Sequence, residues 1–195
     1  MRDHSNPRQL GRPRSERADK AILQAALDEV FRLGFREMNL DAVAQRAGVA
    51  KTTIYRRWPN KAAVVMDAFL AHVQPVTEFP AAPRAIDSMR LQLRAQARTF
   101  RGKYGDLVKS LLGEAQFDHE LAKAFSERWR MPRRVVARQM FQRAIQEGDL
   151  RGNIDIETAI DLLYAPLYYR LQIDSGPLSD AWVDSLFEHA IAGLS

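Results

Sequence analysis

Apolar side chains recur three or four residues apart at Ala18, Ile22, Ala26, Val30 and Leu33, the spacing of one helix face. This predicts a first helix over about 15–33. Gly34 follows as a left-handed cap, with Phe35 folding back onto the helix. Asn39 is placed to cap a short second helix that ends at Gly48, and Asp41 falls in its first turn, where the helix dipole favours an acid. A third helix covers about Lys51 to Arg57. Pro59 ends it, and Asn60 caps a fourth, which runs through Val64, Val65, Ala68 and Phe69 towards Val73. Gln74 to Pro83 contains three prolines and marks a break between domains. Beyond it the pattern predicts helices near 84–103, 106–115, 118–130, 132–148, 155–173 and 179–194. A helix continuous through Met131-Pro132 is equally compatible with proline. No stretch alternates with period two between turn signals, so the fold class is all-α, with about nine helices and no sheet.

The last two helices have unusually wide apolar faces. Ile156, Ile160, Leu163, Leu167 and Leu171 form one stripe, broadened by Leu162, Tyr164, Ala165, Tyr168 and Tyr169. Trp182, Val183, Leu186, Phe187, Ala190, Ile191 and Leu194 form another. A helix that is apolar on more than one side needs more than one partner. Two copies meeting about a two-fold axis would supply it, with Leu163, Leu167, Phe187 and Ile191 at the dimer interface. The alternative is one large core within a monomer.

Charge sharpens the division between the two ends. Residues 1–60 hold 12 Lys or Arg against 7 Asp or Glu, a net of +5, whereas residues 61–195 hold 17 of each. Residues 151–195 carry 2 cations against 7 acids. The basic excess therefore lies at one end, where it can orient the protein on a polyanion, and the far end repels one. The chain has no cysteine, which excludes disulfide and thiolate chemistry. It has no run of 18 apolar residues, so no membrane span is expected, and the polar N-terminus lacks the apolar centre of a signal peptide. A cytoplasmic location fits these features.

Residues 48–61 carry the chemistry. Gly-Val-Ala-Lys-Thr-Thr-Ile-Tyr-Arg-Arg-Trp-Pro-Asn-Lys places two hydroxyls, a tyrosine and several cations on one short helix and its exit turn. With the preceding Leu40–Gly48 it forms a helix-turn-helix, whose second helix can enter the DNA major groove. Ala44 lets the two helices approach, Gly48 supplies the turn, and Val49 and Ile54 pack inward. Residues 14–70 resemble the DNA-binding domain of TetR (tetracycline repressor) family transcription regulators. The resemblance is carried by Ala44, Gly48, Val49, Thr53, Ile54, Tyr55, Trp58, Pro59 and Lys61, preceded by Ile22, Ala25, Phe31, Gly34 and Phe35. It implies a basic arm over 1–14, a DNA-binding domain over 15–73, and a helical effector-binding and dimerisation domain over 84–195.

The resemblance implies double-stranded DNA as a partner, a homodimer built on the C-terminal helices, and a small apolar or amphipathic effector that releases a repressor from a palindromic operator. By the resemblance, Lys51, Thr52 and Tyr55 are the residues expected to reach base edges. By the same resemblance Thr53, Arg57 and Lys61 are similar to phosphate contacts, and Arg56 is open to either role or is only solvated; half-buried packing is the other reading of Tyr55. Gly11-Arg12-Pro13-Arg14 is similar to arms that insert an extended arginine into the minor groove, or is a solvated tail. Asp41 departs from the common family pattern and receives no contact. The effector pocket would draw on Phe100, Tyr104, Phe117, Phe125, Trp129, Met140, Tyr164 and Tyr168, each with ordinary core packing as its simpler reading. Arg94, Arg98 and Arg101 read as a solvated stripe. Asp118-His119-Glu120 is not a metal triad, because consecutive helical residues point apart. No nucleophile elbow or phosphate loop is present, so no catalytic residue, metal or cofactor is expected. An architectural DNA-binding protein without an effector is the competing class, ahead of an enzyme.

Overall fold

The structure is a computed structural model that describes residues 12–195, with side chains from Glu16 onward. The described residues form α-helices and no strands. They are α1 (Arg12–Glu37), α2 (Leu40–Ala47), α3 (Lys51–Tyr55), α4 (Lys61–Thr77), α5 (Ala85–Phe100), α6 (Lys103–Glu114), α7 (His119–Phe125), α8 (Met131–Gln146), α9 (Ile156–Ile173) and α10 (Asp180–Ala192). A π-helical turn, Ser126–Arg130, joins α7 to α8 without a break. The expected interruption at Met131-Pro132 is therefore absent: Pro132 directly follows the π-helical turn, where the helix is already irregular, and the chain stays helical through it. Counting this run as one gives nine helices among the described residues.

Local chemistry sets the boundaries in the first third. Gly34 has φ 78° and ψ 169°, so it breaks α1 through a glycine conformation different from the expected left-handed cap. Phe35 is buried beyond it. The Asn39 side chain accepts from the Ala42 amide at 2.8 Å, and Asn60 accepts from Ala63 at 2.9 Å, so both expected caps are formed. Gly48 is left-handed, and the amides of Val49 and Gly48 return to the carbonyls of Ala44 at 3.0 Å and Gln45 at 3.2 Å. This paired closure ends α2 and turns the chain into α3. Ile54 and Val43 are fully buried beneath the turn.

α4 runs past the expected stop at Val73, carrying Pro75 in its last turn. Thr77 Oγ1 donates to the Val73 carbonyl at 2.7 Å, and the chain leaves through the extended Glu78. α1 packs on α2, α4 and α6, whereas α5 is the centre of the second layer, touching α4, α6, α8, α9 and α10. The inner faces of these helices make one continuous apolar core that includes Phe69, Leu93, Trp129, Phe141, Leu163 and Phe187.

The arginines of α5 are not a solvated stripe. Arg94 holds Asp184 bidentately, with both contacts at 2.6 Å, and Arg98 and Arg101 both engage Asp180. These pairs fasten the acidic α10 to α5. Asp118, beside His119, caps α7 by accepting from the Leu121 amide at 2.9 Å.

Candidate functional site

The reading head is built on α3. The turn buries Ile54 and leaves Lys51, Thr52, Tyr55 and Arg56 exposed, with Thr53 half-buried. Tyr55 is 49% exposed, so about half of its surface is open to a partner. Lys51 forms an ion pair with Asp41 at 2.7 Å. That bond holds the Lys51 ammonium pKa above its ordinary value. Asp41, which had no assigned contact, therefore positions the lysine at the start of the recognition helix.

The two cations expected on phosphates have partners of their own. Arg57 pairs with Asp19 of α1. Lys61 donates to the carbonyls of Arg36 at 3.1 Å and Met38 at 3.3 Å, and its ammonium sits 4.5 Å from the Phe35 ring centre. Lys61 is thus a clasp on the α1–α2 corner. The backbone of Arg12 to Arg14 lies in the first turn of α1, so these residues are not the extended arm expected there. The arm's preceding residues lie outside the described residues.

A polar line leaves the reading head through α4. Trp58 Nε1 donates to Asp67 at 2.7 Å, and the other Asp67 oxygen accepts from Arg128 at 2.5 Å. Arg128 belongs to the π-helical turn, and its neighbour Trp129 packs on Phe69 of α4 at 5.0 Å between ring centres. π-helical turns recur at functional sites because they re-aim side chains within an otherwise regular helix.

Behind Trp129 lies a cavity of about 300 Å³. It is at the lower end of ligand pockets, which span about 300–1,000 Å³. Of the expected residues it brings together Phe125, Trp129, Tyr164 and Tyr168. The other four lie elsewhere. Phe100 stands behind Tyr168, edge-on at 5.4 Å. Tyr104 packs on Phe31, Phe69 and His72 at the junction with α1 and α4. Phe117 is 87% exposed. Met140 is half-buried, beyond the last cavity residue of its helix, Ala137.

Sequence reasoning missed the polar wall. Tyr164 donates to Gln92 Oε1 at 2.9 Å, Trp129 Nε1 donates to the Tyr168 oxygen at 2.9 Å, and Gln96 donates to the same oxygen at 3.3 Å. Burial pushes both tyrosine pKa values up, so both are neutral hydrogen-bonding groups. Gln92 at 3.0 Å and Arg133 at 2.8 Å both donate to the Thr77 carbonyl at the end of α4. The signal available in the sequence was Gln92 and Gln96, two amides one helical turn apart on the inward face of α5.

Three of the four residues placed at the dimer interface, Leu163, Leu167 and Phe187, are buried in the protomer's own core, and Ile191 is half-buried. The expectation that one protomer leaves them unburied fails because α5 and α8 cover that side of the pair. The unpartnered face of α9 is instead Leu162, Ala165, Tyr169 and Ile173, at helical spacing and all exposed.

Residues 22–68 match the profile of bacterial regulatory proteins of the tetR family, and residues 84–190 match the tetracyclin repressor-like C-terminal domain. This chain is a TetR family transcription regulator. It is 39% identical over 184 residues to the uncharacterized HTH-type transcriptional regulator YdeS of Bacillus subtilis, covering 94% of this chain and 93% of that one. It is 29% identical over 191 residues to the DNA-binding transcriptional repressor TetR of Mycobacteroides abscessus, covering 93% and 95%. The crystal structure of the TetR family transcription regulator SCO0332 superposes with a TM-score of 0.78 at 29% identity, covering 91% of this chain and 98% of that one. These relatives are regulators, not enzymes. No helix of the described residues is long and apolar enough to cross a membrane.

Proposed function

We propose that this TetR family regulator is a repressor, bound as a homodimer to a two-half-site operator and released by a small molecule in the cavity. The observation that carries this reading is the shared wall. Gln92 and Arg133 line the cavity and also hold the last carbonyl of α4, the helix that follows the reading head. An occupant that rearranges those side chains changes how α4 is held. It thereby biases the separation and angle of two reading heads in a dimer.

Lys51, Thr52 and Tyr55 are assigned to base edges, and the exposed Arg56 to either a base or the flanking backbone. Thr53, Arg57 and Lys61 face phosphates while retaining their contacts within the head. The second copy docks on Leu162, Ala165, Tyr169 and Ile173 of α9, the exposed apolar ridge next to the helix pair the sequence singled out. The similarity to a DNA-binding repressor over nearly the whole chain supports the sign of regulation.

Sequencing the genomic fragments bound by the protein tests the reading. A short palindromic consensus is expected, and neighbouring genes then suggest compounds to screen for release. Binding without sequence preference, with no compound weakening it, would support an architectural protein instead.

A further inference from the structure

We infer that the effector is an amphipathic anion, its apolar body enclosed by Phe125, Trp129 and Ile160 and its carboxylate or sulfonate received by Arg133. The inference rests on the cavity being the effector site. It adds a charge, where the sequence pointed only to an apolar or amphipathic molecule.

Three arginines line the cavity, Arg130, Arg133 and Arg134, against one acid, Asp161. Arg134 is already neutralised by Asp161 and by Glu157, the latter at 2.7 Å. Arg130 is exposed and donates to Ser126 Oγ at 2.8 Å. Arg133 differs from both. Its guanidinium lies 4.0 Å from the Trp129 ring centre, is mostly buried, and makes its one protein hydrogen bond among the described residues to the neutral carbonyl of Thr77. No carboxylate of the described residues lies within ion-pair distance of it. Glu78 acts on it only from farther away. Burial lowers its pKa, the mark of a cation held without a counter-charge.

A buried charge is costly unless it is paired, and a guanidinium presents a planar fork that matches a carboxylate or sulfonate bidentately. With one donor on Thr77, Arg133 retains further N–H groups for such an anion. The Tyr164 and Tyr168 hydroxyls and the Gln92–Gln96 amides provide neutral polar contacts nearby. The remaining lining is aromatic and aliphatic, so the rest of the ligand is apolar.

Two fluorescent probes test the charge directly. Anilinonaphthalene sulfonate is anionic, and N-phenylnaphthylamine has the same rings without the sulfonate. Both are titrated into wild-type protein, Arg133→Gln, Arg133→Lys and Ala137→Trp, the last of which fills the cavity. Wild type should bind the sulfonate at least about tenfold more tightly than the neutral probe, the scale expected of a charge-assisted pair. Arg133→Gln should erase that ratio while neutral-probe affinity persists, Arg133→Lys should keep part of it, and Ala137→Trp should exclude both. Naphthoate should displace the sulfonate probe at lower concentration than naphthamide. Equal affinity for both probes in wild type, or an anion preference that survives Arg133→Gln, would overturn the anionic effector and leave the cavity as a neutral-ligand site. Loss of binding of both probes to wild type, or their undiminished binding to Ala137→Trp, would overturn the proposal together with the cavity's effector role. If Arg133→Gln does not fold, the wild-type ratio and the Arg133→Lys ratio decide the question.

Discussion

Lys51 and Lys61 are both lysines at helix starts, yet their surroundings assign them different work. Lys51 is exposed and paired with the exposed Asp41, which can yield it to a base or keep it aimed. Lys51→Ala is expected to cost about 1–3 kcal/mol on the operator and to relax preference at one or two positions. Titrations on operator and scrambled DNA will show this as a narrowed ratio between the two. Lys61, by contrast, bonds two backbone carbonyls at the α1–α2 corner. Lys61→Ala is expected to lower stability by about 1 kcal/mol and to weaken all DNA sequences nearly alike. Thermal unfolding measured beside the same titrations separates the two lysines. A changed sequence preference in Lys61→Ala without one in Lys51→Ala would reverse the assignment.

At the scale of elements, two connections decide how the helices act together. The first runs from Trp58 through Asp67 to Arg128 and so joins the exit of the helix-turn-helix to the π-helical turn beside the cavity. Asp67→Asn keeps the shape and removes the charge. It should reduce the ligand-induced loss of operator affinity while leaving ligand binding itself nearly unchanged. Operator titrations with and without ligand, in wild type, Asp67→Asn, Arg128→Gln and the double variant, measure the coupling; additive effects would mean that the pair does not carry it.

The second connection is the arginine–aspartate ladder between α5 and α10. Hydrogen bonds from Arg98 and Arg101 hold Asp180 well below the usual aspartate range, and the hydrogen bond from Arg94 lowers Asp184 from its ordinary value. A carboxylate whose folded pKa is depressed contributes stability above its unfolded pKa, about 3.9, and loses it as pH falls towards the folded value. The ladder is therefore intact at neutral pH and fails only in acid below about pH 4. Asp184→Asn should lower the melting temperature at pH 7, and the gap to wild type should close as the pH is taken towards 2.

At the scale of the whole molecule, a reading head of this size recognises one half-site, so affinity for a palindrome depends on holding two heads about one helical turn, or a multiple, apart. Leu162→Glu on the exposed ridge of α9 should leave the fold intact, shift sedimentation towards monomer and weaken operator binding. Leu167→Glu should instead fail to fold, because its side chain is fully buried among the protomer's own helices. A dimeric Leu162→Glu protein would remove α9 from the interface.

The sequence by itself determined the helix-turn-helix, because that signal is local. Gly48 meets the demand for a left-handed turn, Asn39 and Asn60 satisfy helix amides three residues away, and the burial of Ile54 fixes which side of α3 faces outward. The helix-period pattern likewise yielded the all-α class and most boundaries. It could not show that Leu163 and Leu167 face inward while Leu162 and Tyr169 face out. Both sets are apolar on one wide helix, and only the packing of α5 and α8 against it separates them. Nor could it separate cavity from core among the aromatics, because Tyr104 and Tyr168 have the same chemistry and differ in which helices surround them. The charge of the cavity was decided by tertiary structure alone. Arg133 and Arg134 are adjacent in the chain, but the acids of α9 pair with Arg134 and Arg138 and not with Arg133. Arg133 is left a mostly buried cation with no carboxylate beside it among the described residues, since ion pairing depends on distances between helices that periodicity does not encode.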